Sequence, residues 1–198
     1  MIQNYKNILV PIDGSYESEL AFKKAINVAL QNGPATQLHL VHVVDTRAFQ
    51  NISSFDTKMV EQVTETAKKT LQGYVDEAQK AGVTKVDFSV EYGAPKVIIA
   101  KDIPQEKHID LIMIGATGLN AVERILIGSV TEYVTRMAKC DILVVRTDLN
   151  NKNLHWPNHW SKQVVKQFYK KKKLVYKLTS FFILYKNEAF LLHSKNKH

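Results

Sequence analysis

Short β-branched runs alternate with longer stretches of helical periodicity along residues 1–147. Asn7-Ile8-Leu9-Val10-Pro11-Ile12 is an apolar run of strand length, closed by the turn signal Asp13-Gly14-Ser15. From Glu17 to Gln31, Leu20, Ala21, Ala25, Val28 and Ala29 recur on one face of a helix, and Asn32-Gly33-Pro34 stops it. Gln37 to Val44 predicts a second strand. Lys58 to Lys80 is a long helix with Val60, Val63, Ala67, Leu71, Tyr74, Val75 and Ala78 as its stripe. Lys85 to Glu91 alternates, turning Val86, Phe88 and Val90 inward as a third strand. Pro95 opens a helix holding Val97, Ile98 and Ala100. Asp110 to Ile114 is a fourth strand, Ala121 to Ala138 a further helix, and Asp141 to Arg146 a fifth strand.

Five strands with helical crossovers predict an open, doubly wound α/β fold: a mostly parallel five-stranded sheet with helices on both faces. Such sheets bind ligands beyond the carboxyl ends of their strands, where the strand order reverses. Two loops stand there. Pro11-Ile12-Asp13-Gly14-Ser15 follows the first strand, and Gly115-Ala116-Thr117-Gly118 follows the fourth.

The second loop carries the clearest chemistry. Its spacing is Gly115-x2-Gly118-x9-Gly128-Ser129, followed by Val130 and Thr131. Glycines let backbone N–H groups approach an anion, and the following helix offers its positive end. Ser129 and Thr131 can donate hydroxyl hydrogen bonds to phosphate oxygens. The same glycines also serve ordinary loop and helix packing. Neither a Gly-x4-Gly-Lys-Ser/Thr phosphate loop nor a Gly-x-Gly-x2-Gly dinucleotide fingerprint occurs. Asp13 alone reads as a turn former or cap. Arg124, in the spacer, is a weak phosphate candidate, and Lys96 and Lys101 read as surface.

Taken together, these residues resemble the universal stress protein family. The resemblance rests on Gly115-x2-Gly118-x9-Gly128-Ser129-Val130-Thr131-Glu132, on Ile8-Leu9-Val10-Pro11-Ile12-Asp13-Gly14-Ser15, on His42-Val43 and on Cys140-Asp141-Ile142-Leu143-Val144-Val145, and spans about residues 5–147. It implies an adenine nucleotide α-hydrolase-like fold with strand order 3-2-1-4-5, in which strands one and four are neighbours. It implies ATP, with magnesium or manganese, as the ligand of a stress-response or signalling module. Pro11, Asp13 and Val43 would serve the adenine and ribose, with Val43 offering backbone groups to the base. Ile114 and Gly115 would line the adenosine side, and Gly118, Gly128, Ser129, Val130 and Thr131 the phosphates. The family's last strand pairs across a two-fold dimer, which would place Ile142 to Val145 at a homodimer interface. This chain keeps the whole glycine motif, like the ATP-binding branch. It departs in Asp141, where proline is frequent, and in Ala116-Thr117, where Ser-His is more common.

Catalysis has little support. His39 and His42 have opposite parity and cannot share a metal. His155 and His159 are separated by the helix-breaking Pro157. Cys140, the single cysteine, precedes a buried strand and reads as a small hydrophobe; it allows no intrachain disulfide. A slow ATPase or an adenylyl-transferring enzyme on the same fold is the alternative, but the Ser-Gly-Gly-x-Asp-Ser loop expected of the latter is absent.

The resemblance implies a nucleotide-binding domain over residues 1–149 and leaves 150–198 as an extension outside it, and charge sets the two apart. Residues 1–150 hold 16 Lys and Arg against 18 Asp and Glu, a net −2, whereas residues 151–198 hold 11 Lys against Glu188, a net +10. The extension carries Lys170-Lys171-Lys172-Lys173 and Phe181-Phe182-Ile183-Leu184. It reads as a segment for an anionic membrane surface or nucleic acid, as a helix folded back on the domain, or as an extension without a selected role. With no signal-peptide core and no apolar run of membrane-spanning length, the expected compartment is the cytoplasm.

Overall fold

The computed structural model describes residues 4–49, 57–117 and 127–152, with only the backbone described at 48–49 and 57–60. The strands are β1 (Asn7–Pro11), β2 (Gln37–Val44), β3 (Lys85–Tyr92), β4 (Leu111–Gly115) and β5 (Asp141–Val145). They form one sheet in the order β3-β2-β1-β4-β5, and every pairing is parallel. The order reverses between β1 and β4, so their carboxyl ends open a crevice there.

Alternation along the strands feeds two cores. Ile8, Val10, Leu38, Leu40, Leu111 and Met113 face α1 (Tyr16–Asn32) and α2 (Thr57–Lys80). Leu9, Val41, Ile112 and Ile114 face α3 (residues 95–106) and α4 (Ser129–Met137) on the other side. Burial of each large side chain, such as Phe22 or Leu71, contributes about 1.5–3 kcal/mol relative to exposure. Phe22 and Tyr74 lock α1 to α2 edge-to-face, with ring centroids 4.8 Å apart.

The helix α3 opens with the turn Pro95–Val97, widens into a π segment, Ile98–Asp102, and closes with the turn Ile103–Glu106. Pro104 gives the reason. It has no N–H for the carbonyl of Ala100, and its ring would crowd that carbonyl. The wider turn sends the Ile103 N–H to Ile98 O instead.

Most boundaries agree with the sequence pattern to within a residue or two. The helix expected from Ala121 differs. Residues 118–126 lie outside the described residues, and on the described chain the helix starts only at Ser129. Gly128 is extended, with φ −60° and ψ 148°, and its N–H is spent on Ala116 O at 2.8 Å. Among the described residues no helix is long and apolar enough to cross a membrane.

Candidate functional site

Three strand ends meet at the switch point. After β1 the chain continues the ladder for one residue, Ile12 N donating to Val41 O at 2.8 Å, and then leaves the sheet. Asp13 Oδ1 accepts from Ser15 N at 2.9 Å, which closes a tight Asx turn. Gly14 sits at φ +81°, a conformation that excludes most side chains. Ser15 caps α1: its Oγ accepts from Ser18 N at 3.1 Å, while Ser18 Oγ donates to Ser15 O. Asp13 thus forms the turn, and it stands exposed at the mouth of the crevice.

At the end of β2, Val43 is half-buried and His42 is buried. His42 Nδ1 lies 2.8 Å from Ile12 O. A carbonyl only accepts, so Nδ1 carries the proton. Burial pushes the His42 pKa below its ordinary value, against the opposing pull of the Ile12 carbonyl and of Asp13. Next comes Asp45, bound by Arg47 through Nε at 2.8 Å, Nη2 at 2.6 Å and the backbone N–H at 3.1 Å. These bonds hold the Asp45 pKa below the usual carboxylate range. Sequence reasoning missed this pair, although Asp-x-Arg after a strand is a turn signal that could have shown it.

At the end of β4, Pro11 and Ile114 are buried on neighbouring strands, and Gly115 faces α1. A Cβ on Gly115 would stand 2.8 Å from Glu17 C and 3.0 Å from Glu17 O. The glycine therefore admits the first turn of α1, the packing role that its spacing left open. Beyond it, the two ends of the glycine loop are pinned together. Ala116 N donates to Val145 O and Gly128 N to Ala116 O, both at 2.8 Å. Thr131, buried in the first turn of α4, donates its hydroxyl to Gly115 O at 2.8 Å. The Thr131 hydroxyl thus ties the start of α4 to the end of β4 and braces the loop.

Gly128 caps α4 without a side chain. The first intrahelical bond is Glu132 N to Gly128 O, which leaves the N–H groups of Ser129, Val130 and Thr131 at an uncapped helix start. Ser129 is exposed there and Val130 half-buried. Gly118 and Arg124 lie outside the described residues; Lys101 is exposed and Lys96 partly so.

The remaining candidates stay apart. His39 pairs with Asp87 across β2 and β3 at 2.6 Å, far along the strand from His42 and on the opposite face. Among the described residues no cluster of His, Cys, Asp or Glu could hold a metal ion. Burial, then Asp141 and Asp110, push the Cys140 thiol up, in keeping with a packed, protonated side chain. Past β5, Lys24 Nζ reaches Thr147 Oγ1 at 2.8 Å and Asn151 Oδ1 at 3.2 Å, so the chain turns back toward α1. The extension from residue 153 onward lies outside the described residues.

The model of the universal stress protein family matches residues 4–146. A putative universal stress protein of Staphylococcus haemolyticus (strain JCSC1435) is 45% identical over 144 residues, covering 73% of this chain and 86% of the relative. Among solved structures, the universal stress protein UspA from Lactobacillus plantarum is 31% identical with a TM-score of 0.60, covering 73% of this chain and 99% of that one. A universal stress protein solved in complex with cAMP is 24% identical with a TM-score of 0.55, covering 72% and 98%. The sheet order, the glycine loop and these matches agree: the chain belongs to the universal stress protein family.

Proposed function

We propose that this chain binds ATP in the crevice between β1 and β4 and acts as a nucleotide-dependent stress-response module. One observation carries the reading. The uncapped start of α4 is held against the end of β4 by the Thr131–Gly115 and Gly128–Ala116 bonds, which places a fixed set of N–H donors at the switch point. Such a set suits phosphate oxygens. Ser129 adds a hydroxyl there, and Gly118 and Val130 complete the phosphate side. A relative of the same fold in complex with cAMP supports an adenine nucleotide as the ligand.

The base would lie against Pro11, Ile114 and Gly115, with Asp13 at the ribose. Val43 would meet its edge with one N–H and one C=O. Adenine matches that pair with its N1 acceptor and N6 amino donor; guanine presents a donor and an acceptor the wrong way round. Among the described residues nothing is built to hold a resident ion, so magnesium or manganese would arrive with the triphosphate. The apolar edge of β5 would pair with a second copy of the chain.

Denaturing the purified protein and identifying released nucleotide tests the reading, together with calorimetric titration of ATP and GTP. We expect ATP to bind at least about 30-fold more tightly than GTP, the consequence of two mispaired groups at the base edge. Equal affinity for the two would remove Val43 from the site. Gly118→Val should abolish binding by filling the phosphate path; retained ATP in that variant would sink the loop assignment.

A further inference from the structure

We propose that His42 is a positioning residue for base recognition: its imidazole captures the Ile12 carbonyl and thereby keeps the backbone of Val43 open to the ligand. The inference rests on the nucleotide reading and adds to it a side chain that no ligand contact would reveal.

The backbone directions come first. In a parallel ladder alternate residues point their N–H and C=O groups to opposite neighbours. Gln37 N donates to Lys6 O, and Val41 O accepts from Ile12 N, so the odd residues of β2 point toward β1. Val44 O accepts from Gly93 N, so the even residues point toward β3. Val43 therefore directs both of its backbone groups toward the β1 side, where the strand has ended. The β1–β2 register stops at Pro11 with Val41.

The next bond of that ladder would be Val43 N to Ile12 O, continuing directly from Ile12 N to Val41 O. It is not made. Among the described residues the group that reaches Ile12 O is the His42 ring, at 2.8 Å. The ring is well placed to do so, because its side chain leaves β2 one residue earlier and is held in a buried setting, 9% exposed. The Nδ1–H tautomer that this bond requires leaves Nε2 a bare acceptor, and Nε2 is buried with no partner among the described residues. An unsatisfied buried nitrogen is costly, and an apolar residue at position 42 would avoid it. What histidine supplies in return is a side-chain donor that replaces a backbone one. Val43 N–H and C=O then remain available as the adjacent donor and acceptor that an adenine edge needs.

The test uses the full chain with His42→Leu and His42→Asn, each checked for folding by circular dichroism and urea unfolding. Leucine removes the donor, so Val43 N–H can close onto Ile12 O. Asparagine carries an amide donor close to the position of Nδ1 and preserves the capture. Two readouts are followed: ATP affinity by calorimetry, and exchange of the Val43 amide proton by NMR. We expect a rapidly exchanging Val43 amide in the ligand-free wild type. In His42→Leu that amide becomes protected and ATP affinity falls about 10-fold or more, while His42→Asn stays within about threefold of wild type. A protected Val43 amide in the ligand-free wild type would overturn the proposal, and so would a folded His42→Leu with wild-type affinity. If leucine prevents folding, the wild-type exchange rate and the asparagine variant still decide. An open Val43 amide in a wild-type chain that binds no adenine nucleotide would overturn the nucleotide reading, and with it the part of His42 in base recognition, while leaving the backbone geometry standing.

Discussion

Single residues in this crevice act on partners far away in sequence, and that is where sequence reasoning ran short. Gly115 reads from sequence as a ligand-approach glycine or a packing glycine; its packing contact is the backbone of Glu17, which no local pattern connects to it. Gly115→Ala should cost about 1–3 kcal/mol, because the obstructing atoms are main chain and cannot swing aside. Urea unfolding measures it, and an unchanged midpoint would mean that α1 does not pack this closely. Thr131 was legible as a hydroxyl at the start of a helix, but its bond to Gly115 O was not. Thr131→Val should destabilise by about 0.5–1.5 kcal/mol through loss of the bond to Gly115 O.

His42 adds a pH dependence at the same scale. Its pKa is lower in the folded chain than in the unfolded one, where it is near 6.5. Between those two values the unfolded chain holds the extra proton, so stability is full above about pH 6.5 and is lost as pH falls below it. Asp45 follows the same sign lower down: its contribution fades as pH drops below 3.8 through its depressed folded value. Urea midpoints measured from pH 7.5 to 5 should therefore fall in the wild type and fall less in His42→Asn. Parallel profiles for the two proteins would show that some other group titrates in this window.

Elements were easier to read than contacts, because the hydrophobic period reports burial directly. Strand β2 emerges residue for residue from its apolar run between Gly33-Pro34 and the polar Asp45-Thr46. The start of α4 did not, since helical spacing runs on through Gly128. What breaks the helix is a long-range bond, Gly128 N to Ala116 O, which holds that residue extended. The π turn in α3 was equally hidden: Pro104 was visible, but not the choice between a kink and a wider turn. At the opposite end of the crevice, α1 depends on a local cap. Ser15→Ala should cost about 1 kcal/mol by leaving Ser18 N without its acceptor, and more if the buried site stays unhydrated. A thermal melt showing no shift would mean that another group caps this helix.

At the scale of the whole molecule, the sheet has two very different edges. On β3 the outward positions carry Lys85, Asp87 and Glu91, and charge of this kind discourages pairing with another strand. On β5 the run is Ile142, Leu143, Val144 and Val145, its strand neighbour among the described residues is β4, and Leu143 is 43% exposed. An apolar edge is a hazard for a lone chain; under the proposed pairing a second copy would cover it, and a two-fold axis would let the same four residues meet themselves. We expect the chain, 22.5 kDa by sequence, to sediment at about twice that mass. Leu143→Lys should yield a folded monomer, because it sets two like charges against each other across the axis while leaving the side of β5 that faces α4 intact. Truncation after residue 152 separates this contact from any made by the basic extension. A truncated wild type that sediments as a monomer would show that β5 is not the interface. A Leu143→Lys dimer would move the contact to another face of the molecule.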